Sequence, residues 1–171
     1  MRKESRAMSS DWALELLHRA PYITVSFVDA EGMAYGVPLS LASADGVHWY
    51  FHCAPEGKKL DAIKRHPNVA LSAVTHCAPT VGQKDGTFTL QYKSAMAFGR
   101  AEVVSDEAEK IEGLRLICQR FLPQHMGAFA QSIDRSLDRT AVVRITLNDR
   151  PTGKRKQYDE NGDEMKYGRM E

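Results

Sequence analysis

The sequence predicts a single α+β domain built on an antiparallel β-barrel with flanking helices. Three observations lead to this fold class. Short segments rich in aromatic and branched residues recur along the chain, turn signals rich in Gly, Pro and Asp separate them, and a meander of such strands precedes the first long helix. A chain of 171 residues can form one domain with a real core. We expect this domain to span residues 1–150 and a polar tail to span residues 151–171.

The overall charge and composition narrow the range of partners. A formal net charge of +1 with 26% charged residues provides no general field for nucleic acid or a membrane surface. No apolar run is long enough to cross a bilayer, and the first residues lack the apolar core of a signal peptide. The 3 cysteines show no paired spacing, which is typical of free thiols in a reducing compartment. We therefore expect a cytoplasmic protein.

The beginning of the chain should form one helix and two strands. Ser9 or Ser10 can cap a helix that ends at Ala20-Pro21. The strands and the turn between them are predicted at Tyr22–Val28, Met33–Ala42 and Asp29–Gly32. Pro38 cannot donate a hydrogen bond to a neighbouring strand, so we expect its position to lie at a sheet edge, at a bulge or beside a ligand.

The segment from Val47 to Leu60 is the centre of the functional prediction. Its first part follows an Asp45-Gly46 turn and is rich in aromatic and branched residues, which favours a β-strand entered from a hairpin. That strand must end at Ala54-Pro55-Glu56-Gly57, which cannot continue it. Apolar residues then recur at helical spacing, so Lys58 and Lys59 should lie in the first turn of a short helix.

Two lysines at the start of a helix are unusual, because they face the positive end of the helix dipole. The backbone N–H groups of that turn together with two ammonium groups would form a good site for a dianion. A phosphate monoester is its natural occupant. The alternative is that Lys58 and Lys59 are simply solvated surface residues.

The second half of the chain is predicted to combine long strands with two helices. The elements are a strand at Val69–Cys77, a loop at Ala78–Gly86, a bent strand at Thr87–Val104, a helix capped by Ser105 and ended by Pro123, a short helix at Gln124–Ser136 and a closing strand at Thr140–Leu147. Gly99 should mark a bulge or the close approach of another backbone. Asn148–Glu171 is polar and charged, and we expect a partly ordered tail with little to bury.

Two His-Cys pairs, His52-Cys53 and His76-Cys77, raise the hypothesis of a zinc or haem site. Neighbouring residues on a strand point to opposite faces, so at most one member of each pair could easily face a common site. Small buried thiols are the alternative, and we predict no metal site. His52 by itself is more often a hydrogen-bonded structural histidine than an acid, base or ligand. Neither a nucleoside-triphosphate loop nor a nucleophile elbow occurs in the sequence.

Several short motifs occur along nearly the whole predicted domain. Each is of modest specificity alone, but their order and spacing together are specific for one protein family. They are Ala20-Pro21-Tyr22, Asp29–Gly32, Tyr35-Gly36-Val37-Pro38-Leu39, Tyr50-Phe51-His52-Cys53-Ala54, Gly57-Lys58-Lys59-Leu60, Tyr92-Lys93-Ser94, Phe98-Gly99-Arg100-Ala101, Glu109-Lys110 and Thr152-Gly153-Lys154. Together they resemble the FMN-binding split-barrel family related to pyridoxamine 5'-phosphate oxidase and, more closely, its nitroimidazole-resistance reductase branch. The chain departs from that pattern at two positions. The family often has a proline where this chain has Ala34, and usually a larger branched residue where it has Ala95.

This resemblance implies an antiparallel split β-barrel, FMN as cofactor, and a homodimer with each flavin in a cleft between subunits. It implies that Lys58 and Lys59 hold the FMN phosphate and that Ser94 adds a hydroxyl donor. The residues implied to lie beside the isoalloxazine ring or along its edge are Val37, Pro38, Leu39, Phe51, His52, Cys53 and Ala54.

The resulting hypothesis is an FMN-dependent oxidoreductase that reduces small flat acceptors, nitroaromatics such as 5-nitroimidazoles among them. The cofactor would carry the chemistry, and the protein would bind it and leave room for an acceptor. His52 would protonate or orient that acceptor. The alternative is a non-catalytic flavin- or haem-binding module.

Overall fold

The computed structural model describes residues 3–82, 84 and 86–168. It contains an antiparallel sheet of eight strands and four α-helices. The strands are β1 (Ala7–Met8), β2 (Ile23–Val28), β3 (Ala34–Leu39), β4 (His48–Cys53), β5 (Asn68–Val81), β6 (Phe88–Val103), β7 (Ala141–Leu147) and β8 (Thr152–Lys156). The helices are α1 (Ser10–Arg19), α2 (Lys58–Arg65), α3 (Glu107–Phe121) and α4 (Phe129–Ser136), with short 3-10 turns at Glu4–Arg6, Pro123–Ala128 and Leu137–Arg139. The predicted α+β split-barrel class is confirmed.

The strand order places β3, which carries three of the predicted site residues, at an edge of the sheet. The sheet runs β1-β8-β6-β5-β2-β3, and β7 pairs with both β4 and β6. Within the described residues β3 pairs only with β2, with Pro38 opposite Thr24. A sheet edge is one of the three placements predicted for Pro38. The proline is tolerated there because no strand on the open side needs its missing N–H.

The chain divides into two compact units. The larger unit consists of Tyr22–Leu71 and Phe98–Asp149, and the smaller unit consists of the residues up to Pro21, Ser72–Ala97 and those from Arg150 onward. Strands β5 and β6 each contribute residues to both units.

The core of the larger unit follows from the alternation of its strands. Every second residue of β2 is buried, and Trp49 and Phe51 of β4 are fully enclosed. Strand β7 carries a continuous buried run, Ala141–Val143, because α3 also packs on it. At Gly113 of α3 a Cβ atom would lie 2.9 Å from a ring carbon of Tyr50, so a glycine is required where this helix approaches β4.

The smaller unit is organised around α1 and β8. Ser9 caps α1 by accepting a hydrogen bond of 3.2 Å from the N–H of Trp12, as predicted. Strand β8 pairs with β6 and with the short β1, so Gly153 lies between Ala95 and Met8. The indole of Trp12 packs directly on Gly153, where a Cβ atom would approach to 2.7 Å.

Three element predictions need correction. Residues 148–171 were expected to be a tail with little to bury, but they include β8, whose Lys156 is buried and donates to the Thr89 hydroxyl. The predicted loop at Ala78–Gly86 begins too early, because β5 continues to Val81; Gln83 and Asp85 lie outside the described residues. The cap of α3 is Asp106 rather than Ser105, and it accepts a hydrogen bond of 2.8 Å from the N–H of Glu109. The tail prediction also extended to residues 169–171, which lie outside the described residues.

Gly99 marks the close backbone approach that the sequence predicted. A Cβ atom there would lie 2.7 Å from the Thr146 carbonyl oxygen and 2.8 Å from the Ile145 side chain. We expect Gly99→Ala to lower the free energy of unfolding by about 1–3 kcal/mol, because the backbone oxygen cannot move without disturbing the β6–β7 pairing. Urea denaturation measures this, with Gly127→Ala as the matched control since its added Cβ would meet open space. Equal stability of the two variants would contradict the prediction.

Candidate functional site

The site begins where β4 passes into α2. Gly57 has a φ of 122°, which a residue with a side chain rarely adopts, and it occupies the cap position of α2 without any side-chain hydrogen bond to the helix. The first helical bonds are those from the N–H groups of Leu60 and Asp61 to the Gly57 carbonyl. The preceding N–H groups, those of Lys58 and Lys59, have no partner within the helix and can receive an anion.

A cavity of about 190 Å³ lies at this helix start. Five of the predicted site residues line it, namely Val37, Cys53, Ala54, Lys58 and Lys59. The residues that line it are Tyr35, Val37, Cys53, Ala54, Glu56, Gly57, Lys58, Lys59 and Leu60. All of them belong to the larger unit.

The ammonium group of Lys58 is held by a buried carboxylate. Its Nζ lies 2.8 Å from Oδ2 of Asp29 and 4.9 Å from the centre of the Tyr35 ring. Oδ1 of Asp29 accepts hydrogen bonds from the N–H groups of Met33 and Glu31 in the β2–β3 turn. The hydrogen bond from Lys58 is the main cause that lowers the pKa of Asp29, followed by that from Met33, and the same pair raises the pKa of Lys58. Lys58 is therefore positioned by the turn before β3.

Lys59 differs from Lys58 in having no anionic partner. It is half-buried, and it makes no ion pair with any residue in the part of the chain that the structure describes. Burial raises the pKa of the nearby Cys53 thiol, and the positive charge of Lys59 opposes that effect. Lys59 thus provides a positive charge that forms no ion pair among the described residues, in a lining that also contains the carboxylate of Glu56.

Tyr35 is a site residue to which the sequence analysis assigned no role. Its hydroxyl is buried and has no hydrogen-bond partner among the described residues, and burial raises its pKa. A buried hydroxyl without a partner is costly unless a ligand satisfies it. The alternation of β3 places Tyr35 and Val37 on one face, and that periodicity was the signal that could have identified it.

Side chains of β4 point alternately to the two faces of the strand, so the predicted site residues on it do not all face the cavity. Phe51 is 1% exposed and lies in the core, so its ring does not line the cavity and only its backbone is left to contact a ligand. His52 pairs with Val142 in the β4–β7 ladder, but its side chain is exposed and does not line the cavity. Its imidazole makes no hydrogen bond to a described residue, so the expected hydrogen-bonded structural histidine is not seen. Cys53, the next residue, is half-buried and lines the cavity.

The remaining predicted residues lie outside the cavity lining. Pro38 is exposed and Leu39 is half-buried on β3. Ser94 is half-buried on β6, opposite Lys154 of β8, and belongs to the smaller unit. A role for Ser94 in phosphate binding stays a prediction.

The two His-Cys pairs do not form a recognisable metal centre. Across residues 3–82, 84 and 86–168, no group of three or more His, Cys, Asp or Glu side chains is arranged to hold a metal ion. Cys53 and Cys118 are half-buried and Cys77 is exposed, so Cys77 does not fit the alternative of a small buried thiol. None of the helices in the described part of the chain has both the length and the apolar character needed to span a bilayer.

The ion pair between Asp29 and Lys58 predicts a pH-dependent stability. Because the pKa of Asp29 is lowered in the folded protein, its contribution is complete above the ordinary Asp value of about 3.9 and is lost as the pH falls through the folded value. We expect Asp29→Asn to be less stable than the wild type at neutral pH, with the difference shrinking in acid. Urea denaturation over a pH series measures this, with Asp61→Asn, an exposed carboxylate of α2, as the control. A difference that does not change with pH would contradict the assignment.

The comparison with protein families identifies this architecture. The sequence model of the pyridoxamine 5'-phosphate oxidase family matches residues 9–155, which is most of the chain. The chain belongs to the pyridoxamine 5'-phosphate oxidase family. The match includes β3, β4 and the start of α2, so the cavity described above lies within the shared region of the family.

Solved structures show the same fold at low sequence identity. A candidate 5-nitroimidazole antibiotic resistance protein from Bacteroides thetaiotaomicron is 20% identical, with a TM-score of 0.70 over 86% of this chain and 85% of that chain. The flavocytochrome Anf3 from Azotobacter vinelandii is 21% identical, with a TM-score of 0.72 over 96% of this chain and 80% of that one. The FAD and heme binding protein from Mycobacterium smegmatis is 22% identical, with a TM-score of 0.73 over 88% and 73%. No curated protein sequence matches the chain significantly.

Proposed function

We propose that this protein is an FMN-dependent oxidoreductase that reduces small flat acceptors, with nitroaromatics such as 5-nitroimidazoles as the acceptor class. The observation that carries the proposal is the cavity at the start of α2. There the uncapped N–H groups of the helix occur together with the Lys59 ammonium and the Tyr35 hydroxyl, two groups that have no partner among the described residues. These are the groups that a phosphate monoester would satisfy.

The size of the cavity indicates which part of FMN it would accept. Ligand pockets usually enclose about 300–1,000 Å³, whereas this cavity has about 190 Å³. It suits the phosphate and the adjoining chain, and the isoalloxazine ring would then extend along β3 and the end of β4. Val37, Pro38 and Leu39 would pack beside the ring, Cys53 and Ala54 would follow its edge, and Phe51 would contribute only backbone groups.

A ring that extends beyond the cavity needs a cover, and we propose a second copy of the chain. Strands β5 and β6 carry large apolar side chains that are exposed in the isolated chain, which is typical of an association surface. The side chains of this kind that lie on the smaller unit are Val74, Val81, Phe88, Leu90 and Met96. In this homodimer each flavin would lie at the subunit interface, and Ser94 would supply its hydroxyl there.

When bound, FMN would supply the electrons for the acceptor. The residues of the chain would bind and orient the cofactor and shield one face from water. We assign His52 to protonate or orient the acceptor, because its exposed imidazole lies outside the phosphate cavity on β4, the strand along which the ring would extend, and is open to an incoming molecule. The proposed acceptor class is supported by the fold that the chain shares with the candidate 5-nitroimidazole antibiotic resistance protein.

The test is performed on purified protein saturated with FMN. The bound flavin is reduced without oxygen, 2-methyl-5-nitroimidazole is added, and recovery of the flavin absorption is followed. We expect recovery faster than with free FMN, and His52→Ala should slow it while leaving flavin content unchanged. Recovery no faster than with free FMN would exclude the reductase.

The second candidate is a flavin- or haem-binding module without catalysis. Two proteins of similar fold are a flavocytochrome and an FAD and heme binding protein, and His52 has an exposed imidazole that could serve as an axial ligand. The absorption spectrum of the purified protein separates flavin from haem, because a Soret band that His52→Ala removes favours a haem module. Flavin bands together with reoxidation no faster than that of free FMN favour a flavin module without catalysis.

A further inference from the structure

A second cavity, of about 310 Å³, lies on the smaller unit and shares no residue with the candidate flavin site. We propose that it binds a small aromatic carboxylate independently of the flavin. Most of its lining comes from α1, with one residue each from β5 and β6, and it combines an aromatic ring, apolar side chains and two cations. The residues are Trp12, Glu15, Leu16, Arg19, Pro21, Thr75 and Lys93.

Trp12 forms a fixed aromatic wall. Its indole fills the space that a side chain at Gly153 would occupy, with two of its ring carbons, Cε3 and Cζ3, 2.7 and 3.0 Å from a Cβ built there. Its backbone is fixed by the Ser9 cap. An aromatic ring held in this way is ready to stack on a flat ligand without first losing conformational freedom. Leu16, which is buried, and Pro21 continue the apolar lining.

Lys93 supplies the charge that selects an anion. It is half-buried on β6, where it stands opposite Arg155 of β8 in the strand pairing, and its ammonium group makes no hydrogen bond or ion pair with any of the residues described here. A partly desolvated ammonium group without a partner gains when a carboxylate reaches it. This is the reason that the cavity should take an acid rather than a neutral ring.

The second cation of the cavity is partly compensated. Arg19 is 76% exposed and forms an ion pair of 2.5 Å with Glu15 one helical turn earlier. Two cations against one carboxylate leave the lining with a net positive charge. The Thr75 hydroxyl adds a donor from β5.

The volume limits the ligand to about one or two fused rings. A cavity of about 310 Å³ stands at the lower end of the range for small-molecule pockets, about 300–1,000 Å³, and a complete dinucleotide would not be enclosed. An aryl carboxylate matches the three properties of the site, because its ring stacks on Trp12, its edge contacts the apolar lining and its carboxylate reaches Lys93.

Calorimetric titration of the FMN-loaded protein with 2-naphthoate tests this proposal. We expect saturable binding, with Lys93→Met weakening it by roughly tenfold to a hundredfold, the usual effect of losing a charge-assisted hydrogen bond. The control Lys64→Met removes an exposed lysine of α2 and should bind like the wild type. The neutral probe 2-naphthalenemethanol should bind more weakly and respond little to Lys93→Met.

Three outcomes would overturn the proposal. They are the absence of saturable 2-naphthoate binding, equal affinity in the wild type and Lys93→Met, and loss of 2-naphthoate binding when Lys58 and Lys59 are replaced. The last outcome would place the probe in the candidate flavin site. Because flavin content is measured separately in each variant, failure of this proposal does not affect the proposed oxidoreductase function.

Discussion

Replacing both Lys58 and Lys59 by Met is expected to weaken FMN binding by about a thousandfold while the protein stays folded. Each lysine would contribute a charge-assisted hydrogen bond to the phosphate, and losing one such bond usually costs roughly tenfold to a hundredfold in affinity. The measurement is flavin fluorescence during titration of apoprotein with FMN, with circular dichroism to verify the fold. The matched control is Lys64→Met with Arg65→Met, which removes two cations from the other end of α2.

The two single variants should have different effects, because among the described residues Lys58 has an ion-pair partner, Asp29, and Lys59 has none. Lys59→Met removes an unpaired cation and should affect FMN binding alone. Lys58→Met also leaves the Asp29 carboxylate without its ammonium partner, so it should lower stability as well. If the double variant retained FMN with wild-type affinity, the cavity at α2 would not be the phosphate site, and the solvated-lysine interpretation would stand.

The second large effect is expected at Phe51. Its side chain is fully buried, so Phe51→Ala should lower the free energy of unfolding by about 3–5 kcal/mol through lost burial and the cavity left behind. His52→Ala, one residue further along β4, should change stability by less than about 0.5 kcal/mol because its side chain is exposed. Urea denaturation of both variants provides the comparison.

This pair of variants also separates packing from cofactor binding. A ligand that binds the folded state raises the free energy of unfolding by an amount set by its affinity. If Phe51 acts only through the core, FMN should therefore raise the free energy of unfolding of Phe51→Ala by the same amount as that of the wild type. A smaller increment in Phe51→Ala, despite a folded protein, would mean that the ring contributes to the flavin site after all.

Much of the fold followed from local patterns. The aromatic and branched run before Ala54 predicted β4, the break at Ala54–Gly57 predicted its end, and the lysine-led helix begins at Lys58 as expected. These predictions succeeded because a strand period of two and a helical period of 3.6 are both set by neighbouring residues. Gly99 was also predicted correctly, because a glycine inside a long strand pattern indicates a close approach.

Other features had no sufficient local signal. Strand β8 is short and rich in basic residues, so its composition resembles a solvated tail, and it is stabilised by pairing with β6 and β1 instead. The extension of β5 to Val81 likewise contains Pro79, which argued for a loop. For β8, backbone pairing with segments distant in the sequence outweighs intrinsic preference. Strand β5 is a neighbour of β6 in the sheet, and its place there outweighs the preference of Pro79 for a loop.

The sequence by itself determined the α+β class, the order of most elements, and the placement of two lysines at the start of a helix. Only the tertiary structure decided that Asp29 holds Lys58. It also decided that, within the part of the chain that the structure describes, Lys59 forms no ion pair and the buried Tyr35 hydroxyl has no hydrogen-bond partner. The tertiary structure also buries the Phe51 side chain in the core and leaves that of His52 exposed. The physical reason is that periodicity defines which residues share a face, whereas charge pairing and desolvation depend on segments that meet only when the chain is folded.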